Sequence, residues 1–225
     1  MQNLSLPALK QQAALFAHQL GQQPIPRLYG ATDGKRVGTY VEQAFNEFLS
    51  VNFSFGQGNS ASGIDFPELG VDLKVTSVRQ PQSSSPFRAA SQKVYGLGYH
   101  LLVMVYDKHD DPAVQAAFLQ IQRAIFVDKD HTADYQTTSA LLNLLRNGAN
   151  LDDIDAFLEE RNLPLEEIGR RELAQRILAE PPKLGFLTIS NALQWRLQYT
   201  RALTASHSHD IGIENLLISG ENDAS

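Results

Sequence analysis

Two carboxylates and a lysine stand close together in the run Ser62-Gly63-Ile64-Asp65-Phe66-Pro67-Glu68-Leu69-Gly70-Val71-Asp72-Leu73-Lys74. From Val71 to Val75 apolar and charged residues alternate, the pattern of a half-buried strand. Side chains two apart on a strand share a face, so Asp72 and Lys74 project together while Leu73 enters the core. An antiparallel return through Pro67-Glu68-Leu69-Gly70 would bring Asp65 alongside Asp72. Two carboxylates at one point are costly unless a hard cation neutralises them. The chemistry such a group suits is phosphodiester hydrolysis. The carboxylates hold Mg²⁺, which acidifies a water and polarises the phosphate, while Lys74 orients or deprotonates that water and offsets transition-state charge. The spacing alone fits equally a second reading, in which Asp65 and Asp72 are turn and edge-strand residues beside an ion-paired lysine.

The run resembles the active-site hairpin of the PD-(D/E)XK nuclease superfamily, and more narrowly its MutH-like branch, which includes type II restriction endonucleases. Asp65-Phe66 and Leu69-Gly70-Val71-Asp72-Leu73-Lys74 reproduce that branch's pattern, with Asp65 and Asp72 seven positions apart. Gly38-Thr39-Tyr40-Val41-Glu42 matches the family's upstream Gly-containing helix and makes Glu42 the candidate further acid. Asp72 stands where MutH-type enzymes commonly carry glutamate, and the interval from Glu42 to Asp65 is longer, filled by a Gly/Ser-rich stretch. The specific resemblance covers residues 37–78, with a looser one to about 106.

The resemblance implies an α/β fold with a restriction-endonuclease-like core, a mixed central sheet flanked by helices and a helical C-terminal portion. It also implies sequence-specific hydrolysis of double-stranded DNA to 5′-phosphate ends, dependent on Mg²⁺ with Mn²⁺ able to substitute, as in a type II restriction endonuclease. Asp65, Asp72 and the backbone carbonyl of Leu73 would hold the metal, Lys74 would act on the attacking water, and Glu42 would assist directly or through water. Two other readings stay open: a MutH-like strand-nicking repair endonuclease that waits for a partner, and an inactive DNA-binding or interaction module. A homodimer, at least on DNA, is expected because many such enzymes bind palindromes with two-fold symmetry.

Candidate DNA contacts follow the hairpin at Arg88, Gln92 and Lys93, where the family's DNA-contacting groups are often found. A second set falls in the acid-free window 183–209, with Lys183, Trp195, Arg196, Tyr199 and Arg201. Against these stand a solvated surface for the first set and an amphipathic helix packed through Leu193, Trp195 and Leu197 for the second. His207-Ser208-His209-Asp210 reads as a surface stretch, since no further organised ligand accompanies it.

The elements that must position these residues are legible as periodicities. Helical spacing marks Ser5 to Leu20 and Val37 to Leu49, with Glu42 one position off the second stripe. Strands are expected near 51–55, 63–66, 71–78, 100–106 and 118–127, with Gln80 to Ser85 a polar loop and a short helix within Phe87 to Gly96. Helices follow at 133–146, 151–161 and 165–178, then a return to strand at Phe186 to Ile189 and either helix or strand from Leu193 to Leu203. We expect one nuclease domain over 1–225, with a catalytic α/β part to residue 130 and a mostly helical part beyond.

Composition bounds these readings. The chain has 225 residues, 43% of them apolar, and no cysteine, which excludes disulfide scaffolds, thiolate zinc sites and cysteine nucleophiles. No apolar run approaches membrane-spanning length and the first residues lack the pattern of a secretory signal, so a cytoplasmic protein is expected. The formal net charge is −6, but an acidic block from Asp152 to Glu180 masks neutral-to-basic stretches on either side that can face an anionic polymer.

Overall fold

The computed structural model describes residues 1–56, 63–85, 88–190, 195–208 and 210–217. Helix α1 (Leu6–Gly21) starts where the Ser5 hydroxyl accepts the Ala8 N–H, and buries Leu9, Ala13, Phe16, Ala17 and Leu20 along one face. Helix α2 (Gly34–Ser50) is capped by Asp33 and buries Val37, Val41, Phe45 and Leu49 at four-residue spacing, with Gly38 beside them. The rings of Phe16 and Phe45 meet at 5.0 Å between centroids and pin the two helices together.

Both helices cover one face of a four-stranded sheet made of β3 (Val71–Ser77), β5 (His100–Asp111), β6 (Ala116–Val127) and β9 (Ile213–Asn215), in the order β3-β5-β6-β9. The sheet is mixed: β3 runs parallel to β5, and the remaining pairs are antiparallel. Leu101 to Tyr106 is buried throughout because both faces of β5 are covered. Leu102, Met104 and Tyr106 pack with the two helices, whereas Leu101, Val103 and Val105 pack with Phe186, Leu187, Ile189, Leu197 and Tyr199.

The second face is built by a small antiparallel sheet, β4 (Gln82–Ser85), β8 (Trp195–Gln198) and β7 (Thr188–Ile189), in the order β4-β8-β7. Helices α4 (Tyr135–Arg146), α5 (Leu151–Glu160) and α6 (Glu167–Ala179), together with the short α3 (Gln92–Tyr95), enclose a separate apolar cluster around Leu141, Ile154, Leu158 and Ile177. Asn150 and Asp153 form a reciprocal capping box at the start of α5. Helix α7 (Thr200–Ala205) follows β8 directly, so the segment expected to be either helix or strand is one after the other.

Four expectations are corrected. Residues 51–55 do not join the central sheet: β2 (Phe53–Ser54) pairs in parallel with β1 (Gln2–Asn3) instead. The expected strand at 63–66 is a single antiparallel bridge, Phe66 with Val71. Gln80 to Ser85 is not simply a loop, because the polar run Gln82–Ser85 finds its partner more than a hundred residues away in β8. The strands expected at 100–106 and 118–127 extend into one long hairpin reaching Asp111 and Ala116. Parts of the Gly/Ser-rich stretch, Phe87, His209, Leu193 and the tail beyond Leu217 lie outside the described residues.

The turn between Phe66 and Val71 is short. Pro67–Leu69 make one 3₁₀ turn, and Gly70 follows at φ +61°. A Cβ at Gly70 would meet no atom within 4 Å, so the cost of a side chain there is torsional rather than steric. Gly70→Ala should therefore lower stability by about 1–2 kcal/mol, read as a lower urea midpoint with an unchanged slope.

Candidate active site

Strand β3 is the edge of the central sheet, which decides where its backbone points. Val71 exchanges both main-chain hydrogen bonds with Phe66, on the side away from β5. Leu73, two residues on, faces the same open side, and its N–H donates to Asp65 Oδ2 at 2.8 Å. Within a strand the N–H and C=O of one residue point the same way. The Leu73 carbonyl is therefore directed to the open edge where Asp65 sits.

The Leu73 side chain enters the helix-covered core, as expected, and Asp72 and Lys74 emerge on the opposite face. Lys74 Nζ lies 2.8 Å from Asp72 Oδ2. Asp72 is only 3% exposed. Burial drives its carboxyl pKa up, Lys74 opposes that, and hydrogen bonding to the Asp65 carboxyl adds to the rise, leaving it at about 7. For Lys74, burial pulls the ammonium pKa down, but the charge and hydrogen bond of Asp72, with the Asp65 charge, outweigh it and the net shift is upward. The lysine is thus held as a cation across the neutral range.

Helix α2 crosses β3 at Gly38, where a Cβ would stand 3.9 Å from the Val75 carbonyl oxygen. One turn later Glu42 is half-buried, and its carboxyl pKa is raised by burial and by the Asp65 charge, with Lys74 acting against them. The four residues picked out in the sequence, Glu42, Asp65, Asp72 and Lys74, therefore share one electrostatic neighbourhood.

Their donor set suits a hard cation: two carboxylates in hydrogen-bonding contact, a main-chain carbonyl on the same strand edge, and a third carboxylate within electrostatic reach. Among the described residues no three His, Cys, Asp or Glu side chains converge on one point, so a metal here would rely on Asp65, Asp72 and the Leu73 carbonyl.

Glu42 and Lys74 open into a cleft of about 1050 Å³, whose walls include Lys35, Thr76, Arg79 and Gln82. Of the expected DNA contacts, Arg88 is exposed next to the hairpin, with its guanidinium 3.0 Å from the position of a Cβ on Gly63. Arg196 is exposed on β8, and Lys183 is exposed in an ion pair with Asp130. Arg201 is half-buried, its guanidinium 4.1 Å from the Tyr135 ring centre. Three others are engaged within the fold. Gln92 spends its side-chain amide on the Leu97 carbonyl and on the Arg88 and Ala89 N–H groups. Lys93 is 5% exposed, within reach of the Asp134 charge. Tyr199 is wholly buried, with its hydroxyl on that of Ser83 and within electrostatic reach of Asp72. Tyr99 is a further buried neighbour of Lys74 that the sequence did not flag.

The family model for the type II restriction enzyme NspV matches residues 3–215. A type II restriction enzyme NspV from Nostoc sp. is 53% identical over 207 residues, covering 92% of this chain and 94% of its own. No solved structure matches the chain. A match that spans the helices, the hairpin with Asp65, Asp72 and Lys74, and the strand sheet beyond them leaves one conclusion: the chain belongs to the NspV family of type II restriction enzymes.

Proposed function

We propose that this chain is a Mg²⁺-dependent, site-specific endonuclease that hydrolyses both strands of duplex DNA and leaves 5′-phosphate ends, with a PD-(D/E)XK core. The observation that supports this most is the buried Asp72 carboxyl held between Asp65 and Lys74 on an edge strand, beside an open cleft. Two acids with one lysine leave a negative charge that folding alone does not relieve, and a divalent cation does.

Asp65, Asp72 and the Leu73 carbonyl would hold Mg²⁺, with Glu42 in reach directly or through a water. Bound there, the ion supplies charge neutralisation at the scissile phosphate and makes a water more acidic. The chain's own groups do the rest. Lys74, kept protonated by Asp72, donates a hydrogen bond to the attacking water or a phosphate oxygen and offsets the charge that develops there. Asp72 fixes the ammonium in place, and the Leu73 N–H fixes Asp65. A second copy of the chain, related by a two-fold axis, would cut the second strand at a palindromic site.

Glu42→Gln tests the outer acid. It should slow cleavage about tenfold to a hundredfold while leaving the fold intact, checked by single-turnover rates and thermal melts.

The function is tested by incubating the purified protein with phage DNA and supercoiled plasmid, in Mg²⁺ and in EDTA. Discrete fragments that require Mg²⁺ are expected. Nicked circles alone would replace this reading with a strand-nicking enzyme, and intact DNA would replace it with a binding module.

A further inference from the structure

The small sheet beside the active site has two unlike faces. Its register pairs Gln82 with Gln198 and Ser84 with Arg196, and Gln198 also pairs with Thr188. Cross-strand partners point to the same side of a sheet, and residues two apart do so as well. Gln82, Ser84, Arg196, Gln198 and Thr188 therefore share one face. Ser84, Arg196 and Gln198 are exposed there, Gln82 and Thr188 are half-exposed, and no acid interrupts them. The opposite face carries Ser83, Leu197 and Ile189, with Leu197 and Ile189 sealed into the core under β5.

An ordinary solvent-facing sheet of a protein with net charge −6 would mix acids and lysines. This one displays an arginine and two glutamine amides, the side chains whose paired donors and acceptors match guanine and adenine edges. Gln82 and Ser84 also line the cleft that holds Lys74 and Glu42, so the polar face and the catalytic residues open onto one space. β-strands can enter the DNA grooves, and beyond β4 and β8 this sheet adds only the two-residue strand β7. The two rows, Gln82 with Gln198 and Ser84 with Arg196, lie about 6.8 Å apart along the strands, close to two base-pair steps.

The ribbon is also fastened to the catalytic strand. Gln82 N–H donates to Thr76 Oγ1 at 3.1 Å, two residues beyond Lys74, and Tyr199 N–H donates to the Pro81 carbonyl at 2.9 Å. The buried Tyr199 hydroxyl meets Ser83 from beneath, within electrostatic reach of Asp72. A shift of the ribbon on a wrong sequence would be passed to Asp72 and Lys74 through these bonds.

We propose that the ribbon formed by Gln82–Ser85 and Trp195–Gln198 is the element that reads the DNA sequence, with Arg196, Gln198 and Gln82 as the residues that contact base edges. The inference rests on the endonuclease reading above and names the origin of its specificity.

The test uses the full-length protein. The cleavage sequence is first mapped from phage DNA digested by the wild type. Binding is then measured in Ca²⁺ to a duplex carrying that sequence, to duplexes with one base pair replaced, and to an unrelated duplex, for wild type, Arg196→Lys, Gln198→Ala and Gln82→Ala. Arg196→Lys keeps the charge and loses the planar fork. It should weaken binding to the mapped sequence about 5- to 150-fold at one base-pair position, and leave affinity for the unrelated duplex and its salt dependence as they were. Each glutamine variant should relax discrimination at a different position. Equal losses on mapped and unrelated duplexes, or variants that discriminate as the wild type does, would overturn the assignment. If the wild type cuts and the variants still discriminate, the ribbon assignment alone fails. If the wild type yields no Mg²⁺-dependent fragments, the endonuclease reading fails and this inference with it.

Discussion

Lys74→Ala is expected to slow single-turnover cleavage by about 1000-fold or more while duplex binding in Ca²⁺ changes only a few-fold. The ammonium is 2.8 Å from Asp72, is kept charged by Asp72 and Asp65, and faces the cleft, so its removal takes away charge stabilisation at the reacting centre. A factor of 1000 corresponds to about 4 kcal/mol of transition-state stabilisation, within the range of a single well-placed donor. Binding draws on many phosphate contacts, and the loss of one cation among them is small. A variant that cuts at the wild-type rate would show that Lys74 is only the structural counter-ion of Asp72.

Asp72→Asn should abolish cleavage and, in EDTA at pH 8, make the protein more stable than wild type. The folded carboxyl has its pKa raised from 3.8 to about 7 by burial and by Asp65, against the pull of Lys74. A group whose pKa is higher folded than unfolded contributes stability that is complete below the unfolded value and is lost as pH rises through the folded value. The metal-free wild type should therefore lose stability between about pH 4 and pH 7, whereas a neutral amide at that position does not titrate. At roughly 1.4 kcal/mol per pKa unit the difference at pH 8 is a few kcal/mol, or roughly 5–10 °C in melting temperature for a chain of this size. It should vanish near pH 4. Equal melting curves for the two proteins at pH 8 in EDTA would mean that the Asp72 charge is already neutralised within the fold.

These two effects trace to one hairpin, and most of that hairpin was readable in the sequence. The alternation Val71-Asp72-Leu73-Lys74-Val75 put Asp72 and Lys74 on one face, and Gly70 at φ +61° closes the turn that Pro67 opens. The same holds for α1 and α2, whose apolar stripes carry them onto the sheet, and for the apolar strand at Leu101 to Tyr106. What stayed hidden depends on partners distant in the chain. Gln82–Ser85 has weak strand propensity and reads as a loop, because its ladder is supplied by Arg196 and its neighbours. Ile213–Asn215 is too short to register as a strand until β6 offers it an edge. Lys93 and Tyr199 show the converse: residue type suggested a DNA-facing surface, yet packing placed both inside, one near Asp134 and the other against Ser83.

Asp65, Asp72 and the Leu73 carbonyl are proposed to hold the divalent ion that cleavage needs. The most direct measurement is the anomalous difference map of a crystal of the full-length protein soaked in Mn²⁺. One peak is expected in contact with an oxygen from each of these three residues, and its loss in Asp65→Ala. A Mn²⁺ peak at other residues, or an empty hairpin in a protein that cleaves DNA in Mn²⁺, would contradict it.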